Sequence, residues 1–208
     1  MIKPIVAFGD PVLKAEAEEI IEGHSGLSKL IEDMWETMYN AEGVGLASPQ
    51  VGESIRMFLV DGSPFSEGEN GDKGCEGFKR VMINPVIFDQ SADEISMEEG
   101  CLSIPGIREA VVRPNEITVE YYNETWELVE ERLMGVAARI VLHEYDHLDG
   151  IMITDHITAV KRRLLHGKLR DIGLGKIPVD YKMKLPKKKV LRTNIKNLQD
   201  LRSEYANQ

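Results

Sequence analysis

The segment His143-Glu144-Tyr145-Asp146-His147 carries the side chains best suited to chemistry. On a helix, residues four apart stand on one face, one turn apart, so the two imidazoles reach a single cation. Glu144, between them, can touch a water held by the same ion and act as its base, the arrangement of a hydrolytic divalent-metal site. Such a site needs a third protein ligand and an open position. One class of zinc peptidase places a third histidine ten residues after the first; that position here is Ile153, and His156 comes three residues later. Cys101 offers a thiolate within Glu98-Glu99-Gly100-Cys101-Leu102-Ser103-Ile104-Pro105-Gly106. Gly100 lets backbone approach closely and Pro105 stiffens the backbone after the cysteine, although a buried cysteine also serves as a small hydrophobe. One thiolate and two imidazoles suit zinc, iron(II), cobalt or nickel.

A third segment, Gly43-Val44-Gly45-Leu46-Ala47-Ser48-Pro49-Gln50-Val51-Gly52, reads as a tight, ordered turn. Its Gln50 amide can donate to a developing oxyanion. No strand precedes the glycine pair, which disfavours a dinucleotide site. Two rival uses of the histidines remain at this level. A zinc peptidase would take His156 or an acidic residue as third ligand, and a binding protein would close a structural zinc site with both cysteines. The second rival requires Cys75 to be ordered and buried, yet it lies in the Gly-, Glu- and Ser-rich stretch from Ser63 to Gly77, read as an exposed loop.

These segments need elements to position them. Leu27, Leu30, Ile31, Met34 and Met38 recur at helical spacing between Gly26 and Glu42, with Ser25 as cap and Gly43 as stop. Ile55–Val60, Val81–Phe88, Glu94–Met97, Arg108–Val112 and Ile117–Tyr122 read as strands, the last with Ile117, Val119 and Tyr121 on one face. A helix is expected from about Leu133 to Leu148, ended by Gly150, and Thr158 caps a basic helix to about Ile172. Strands and a few helices without βαβ alternation give an α+β class: a single domain of mostly antiparallel strands around a central helix that carries the two histidines.

The 208 residues fit one domain with a sizeable core. No apolar run reaches bilayer length and no secretory signal is visible at the N-terminus, so a cytoplasmic location is expected, with Cys75 and Cys101 reduced. The net charge of −10 argues against a general nucleic-acid binder, DNA included. It is unevenly spread. From Tyr181 to Gln208 eight Lys or Arg face two acidic residues, making that segment about +6 and the remainder about −16.

Together the three chemical segments resemble the peptide deformylase family, whose motifs are a GxGLAAPQ-type loop, an EGCLS-type strand and an HExDH helix. All three occur here in the family's order, and a weaker similarity runs to about residue 170. Ser48 stands where the family usually has Ala, and Leu142 where a Gln is frequent. The resemblance implies a metal-dependent hydrolase that removes the N-formyl group from the formylmethionine of nascent polypeptides and releases formate. It implies Cys101, His143 and His147 as ligands of one divalent ion, iron(II) in the native enzyme, with zinc, nickel or cobalt as substitutes. Glu144 matches the general acid/base, and Gln50 with the Leu102 N–H the donors to the formyl oxygen. Gly45 matches a backbone contact to substrate, while Val44, Arg108, Arg139 and Ile140 border the methionine pocket. The chain then divides into a catalytic domain over 1–178 and a basic extension over 179–208. The extension is suited to ribosome contact, although Leu191, Ile195, Leu198 and Leu201 could instead dock a short helix on the enzyme's own surface.

Overall fold

The computed structural model describes residues 1–67 and 71–187. Its elements run β1 (Ile5–Val6), α1 (Leu27–Asn40), β2 (Gly45–Ala47), β3 (Met57–Asp61), β4 (Lys79–Gln90), β5 (Glu94–Cys101), β6 (Ile104–Pro114), β7 (Glu116–Tyr122), β8 (Leu128–Met134), α2 (Gly135–Leu148), α3 (Ala159–Gly173) and β9 (Met183–Lys184), with short 3-10 turns between. Five strands form an antiparallel sheet in the order β2-β3-β4-β7-β8. β5 and β6 form a separate antiparallel hairpin, and β1 with β9 a two-residue parallel pair. The class is α+β, with antiparallel pairing dominant.

Apolar patterning explains the layering. Every residue of β3, Met57-Phe58-Leu59-Val60-Asp61, is buried, as a strand covered on both faces must be. Because side chains alternate across a strand, Phe58 and Val60 join one core with Ile117, Val119, Tyr121 and Leu133, and with Ala137, Ala138, Val141 and Leu142 of α2. Met57 and Leu59 face the other way, into a core with Leu27, Ile31, Met34 and Met38 of α1. A third cluster joins Val6, Leu13, Cys101, Ile104, Ile107, Leu169 and Ile172, tying the hairpin to β1 and α3.

Several local expectations are corrected. Residues 128–134 pair with β7 as strand β8, so α2 begins at Gly135 rather than Leu133; Leu133 packs in the core as a strand residue. Its neighbours Glu130, Glu131 and Arg132 hid that alternation. Gly26, not Ser25, caps α1, without a side-chain bond. Gly45–Ala47 is a short strand, followed by a 3-10 turn over Ser48–Val51. The stretch 63–77 is not simply an exposed loop, because Cys75 is fully buried. There Asp72 Oδ2 accepts from Val136 N–H at 2.9 Å, so the loop caps the start of α2 from 64 positions away. Thr158 caps α3 as expected, accepting from Lys161 N–H. The predicted apolar positions Leu191, Ile195, Leu198 and Leu201 lie outside the described residues, as do Lys188, Lys189, Arg192, Lys196 and Arg202. Among the described residues, no helix is long and apolar enough to cross a membrane.

Candidate metal centre and active site

α2 is fixed by its apolar side against the sheet, which turns His143, Glu144 and His147 toward the β5–β6 hairpin. All three are buried, and the two imidazoles meet edge to face with centroids 5.0 Å apart. Cys101 closes β5, where the pairing shifts from Gly100↔Arg108 to Cys101↔Ile104 and leaves Leu102 and Ser103 as the turn. Cys101 Sγ lies 3.3 Å from His147 Nε2. The sulfur and one nitrogen of each imidazole all lie within 4.8 Å of one another.

Two tests support a cation at this point. The donor set is one thiol and two imidazoles, a combination chosen by transition metals. The buried Glu144 Oε2 beside it has no hydrogen-bond partner, which is costly for a carboxylate unless something polar or charged is held there. His147 Nδ1 is likewise buried and unpartnered.

Electrostatics favour a ligating thiolate. Burial opposes ionisation of Cys101, but the imidazoles of His147 and His143 outweigh it and bring the thiol down to about 5. For Glu144, burial wins over the pull of the two histidines and pushes the carboxyl up to about 7. Behind His143 stands Glu99, which accepts from its Nδ1 at 2.9 Å, from Arg113 Nε at 2.7 Å and from Arg139 Nη1 at 2.9 Å. Burial works against the Glu99 carboxylate, yet His143 and Arg113 hold its pKa well below the usual range. The bond from Nδ1 fixes the His143 ring and leaves Nε2 for the centre.

Gln50 is held in a defined orientation. Its Oε1 accepts from Ala47 N–H at 2.8 Å, which turns Nε2 toward Cys101 Sγ at 3.6 Å and Ser103 Oγ at 3.4 Å. Ser48 is compatible with this turn because its hydroxyl donates to Met57 O at 2.7 Å. Leu142 has its side chain in the apolar core. Gly45 lies against Glu144, so close that a Cβ would collide with the carboxylate.

Val44, Gly45, Gln50, Cys101, Leu102, Arg108, Arg139, Ile140, His143 and Glu144 all line one open cavity of about 520 Å³; His147 is not part of that lining and meets it through its contact with Cys101. The Arg139 guanidinium is engaged by Glu99 and Val111 O, whereas Arg108 is largely exposed. His156 stands apart from the cluster. Its Nε2 pairs with Asp146 Oδ2 at 2.6 Å, and Asp146 in turn accepts from Arg113 at 2.7 Å. Cys75 stands apart as well; burial, with Asp72 adding to it, pushes its thiol up to about 11. The sequence did not single out Glu99, Arg113, Asp72 or Tyr181. Glu99 adjoins Gly100-Cys101, a usable signal; the others reach the site only through long-range packing.

Comparison with known proteins gives one answer. The model of the polypeptide deformylase family matches residues 2–163. The peptide deformylase of Christiangramia forsetii is 48% identical over 196 residues, covering 92% of this chain and 100% of that one. That of Flavobacterium psychrophilum is 47% identical, covering 91% and 100%. Among solved structures, the peptide deformylase of Thermotoga maritima matches with a TM-score of 0.67 at 42% identity, covering 76% of this chain and 99% of that one. The Ehrlichia chaffeensis enzyme in complex with actinonin matches with a TM-score of 0.74 at 32% identity, covering 82% and 96%.

Proposed function

The chain belongs to the polypeptide deformylase family, enzymes that remove the N-formyl group from nascent polypeptides, and we propose that the cavity between α2, the β5–β6 hairpin and the Gly43–Gly52 segment is where it does so. The observation that carries this reading is the convergence of Cys101, His143 and His147 within 4.8 Å, beside a buried Glu144 with one free carboxylate oxygen. Those three residues would hold one divalent ion, iron(II) as the native metal and zinc, nickel or cobalt as substitutes. When bound there, the ion supplies Lewis acidity, which polarises a carbonyl oxygen and lowers the pKa of water.

The chain's own groups do the rest. Glu144 takes the proton of the attacking water and returns it to the leaving amine nitrogen. Gln50 Nε2 and the Leu102 N–H donate to the oxygen on which negative charge develops. Gly45 gives substrate backbone a close approach, and Val44, Ile140, Arg108 and Arg139 border a pocket for the methionine side chain. Glu99, clamped by Arg113 and Arg139, keeps His143 oriented. Formate and a free N-terminus leave.

The pairing of β9 with β1 supports a catalytic unit that runs past residue 178, to Lys184 at least. The basic residues beyond it are suited to ribosomal RNA, consistent with a cytoplasmic enzyme acting on emerging chains. The deciding experiment measures formate release from a formyl-Met peptide by protein loaded anaerobically with iron(II) or with zinc, for wild type and Cys101→Ser. The wild type is expected to be active and more so with iron(II), with Cys101→Ser inactive and metal-poor. Stoichiometric metal retained by Cys101→Ser would overturn the ligand assignment.

A further inference from the structure

The chain that returns after α3 brings into the cavity a residue that none of the chemical motifs contains. Ile5 N–H donates to Lys182 O at 2.8 Å and Ala7 N–H to Lys184 O at 2.9 Å, laying β9 beside β1. β1 continues into Phe8, whose N–H donates to Ser103 O at 2.9 Å, so the same layer reaches the turn of the β5–β6 hairpin. Ile177 and Met183 pack into the third core cluster on either side of Tyr181. Tyr181 is thereby fixed at both flanks. Its ring lines the cavity, and its hydroxyl donates to the Leu102 carbonyl at 2.7 Å.

Leu102 and Ser103 lie outside the strand ladder, where no regular cross-strand pairing fixes their peptide planes. Yet this is where positional accuracy matters most. Leu102 supplies the backbone N–H assigned to the oxyanion, and Ser103 Oγ lies 3.4 Å from Gln50 Nε2, the second donor. The peptide linking Leu102 to Ser103 therefore stands between both donors, and Tyr181 holds its carbonyl. Burial, reinforced by Cys101, pushes the Tyr181 phenol up to about 12, so the hydroxyl remains a donor across the working pH range.

We propose that Tyr181 is a positioning residue for the reaction: its hydroxyl, delivered by the β9 return, locks the Leu102–Ser103 peptide so that the Leu102 N–H and the Gln50 amide face the developing oxyanion together. This rests on the reading of Leu102 and Gln50 as oxyanion donors. A drift of about 1 Å in such donors weakens transition-state binding without changing how substrate docks, so the effect belongs in kcat.

The test is a double-mutant cycle on metal-loaded full-length protein with Tyr181→Phe and Gln50→Ala, assayed with a formyl-Met peptide. Tyr181→Phe is expected to lower kcat about tenfold with KM and metal content little changed, alongside the modest fall in melting temperature that loss of one hydrogen bond brings. In the Gln50→Ala background the same substitution should cost clearly less than about tenfold, because the donor pair it aligns is already broken. An unchanged kcat in Tyr181→Phe, or a full additive loss in the double variant, would overturn the proposal. So would a lowered melting temperature with kcat intact, which marks a purely structural bond. If Gln50→Ala alone leaves kcat unchanged, the oxyanion reading fails instead, and the two failures are told apart.

Discussion

Gly45 and Glu144 are a matched pair. A methyl group at Gly45 would occupy the space of the Glu144 carboxylate, so Gly45→Ala must displace the side chain proposed to carry the proton. Glu144→Gln removes its basicity with little change in shape. Both variants are expected to keep one metal per chain, since Cys101, His143 and His147 are untouched, and to lose about 10²–10⁴-fold in kcat. Formyl-peptide turnover alongside metal analysis after dialysis measures this, and near-wild-type turnover in Glu144→Gln would sink the proton-transfer role. The two cysteines separate by the same logic. Cys75→Ser is expected to retain the metal, but at a loss of about 1–3 kcal/mol in stability, because a hydroxyl replaces a thiol in a fully buried site. Denaturant melts decide the second half; unchanged stability would mean the site relaxes. At this scale the sequence was legible where chemistry is concentrated in consecutive residues. His143, Glu144 and His147 lie within one helical turn or so, and Cys101 and Gln50 sit in stretches whose glycines and prolines mark special backbone. It was silent where a partner is remote: Arg113 meets Glu99 across 14 positions and Tyr181 meets Leu102 across 79.

Elements hold those residues in place through two devices that periodicity does not register. The first is the Asp72 cap on α2. Met134, at the formal cap position, offers no side-chain bond, and Asp72 supplies it from the preceding loop. Asp72→Ala should therefore destabilise the protein by about 0.5–2 kcal/mol, as loss of a cap does; a melting temperature equal to wild type would show that the helix start is satisfied otherwise. The sequence pattern missed this because a loop rich in Gly, Glu and Ser looks solvated when Cys75, the buried anchor among its described residues, is flanked by Gly74 and Glu76. The second device is the charge cluster binding α2 to the hairpin. Glu99 and Asp146 balance Arg113 and Arg139 out of water, so removing one charge leaves another buried and uncompensated. Because the folded Glu99 pKa lies below the ordinary 4.5, its contribution is fully present above that value. It is lost as the pH falls below 4.5 toward the folded pKa, with the unfolded chain binding the proton first. Stability is thus expected to drop with acidification through that window in the wild type and to drop less steeply in Glu99→Gln, which starts less stable. Urea melts across about pH 6 to 3 provide the comparison; parallel slopes would assign the acid sensitivity to other carboxylates.

The whole molecule is an acidic body with a basic end. The α+β class came from apolar spacing, because the helices and the inner strands are amphipathic or continuously apolar. The third core, which joins β1, α3 and β9 to the hairpin, did not, because two-residue strands carry no period. That difference changes where the chain should be cut. Truncation after Pro178 would remove Tyr181 and β9 along with the basic residues, so it would confound catalysis with docking. Truncation after Lys187 leaves β1–β9 and the Tyr181–Leu102 bond in place and removes five basic residues against Asp200 and Glu204, about +3, from a body left at about −13. An acidic body is repelled by ribosomal RNA, whereas Lys and Arg that neutralise phosphates release counterions and give affinity that falls steeply with salt. Full-length protein is therefore expected to sediment with ribosomes at low salt and to release as salt rises. The chain ending at Lys187 should bind weakly at all salt concentrations yet hydrolyse a small formyl-Met peptide at the full rate. A chain ending at Pro178 should lose both, its kcat at least as far as Tyr181→Phe. Ribosome binding by the Lys187 truncation equal to that of the full chain would exclude the basic end as the contact. Loss of peptide hydrolysis in that same truncation would show instead that the end supports the enzyme's own surface.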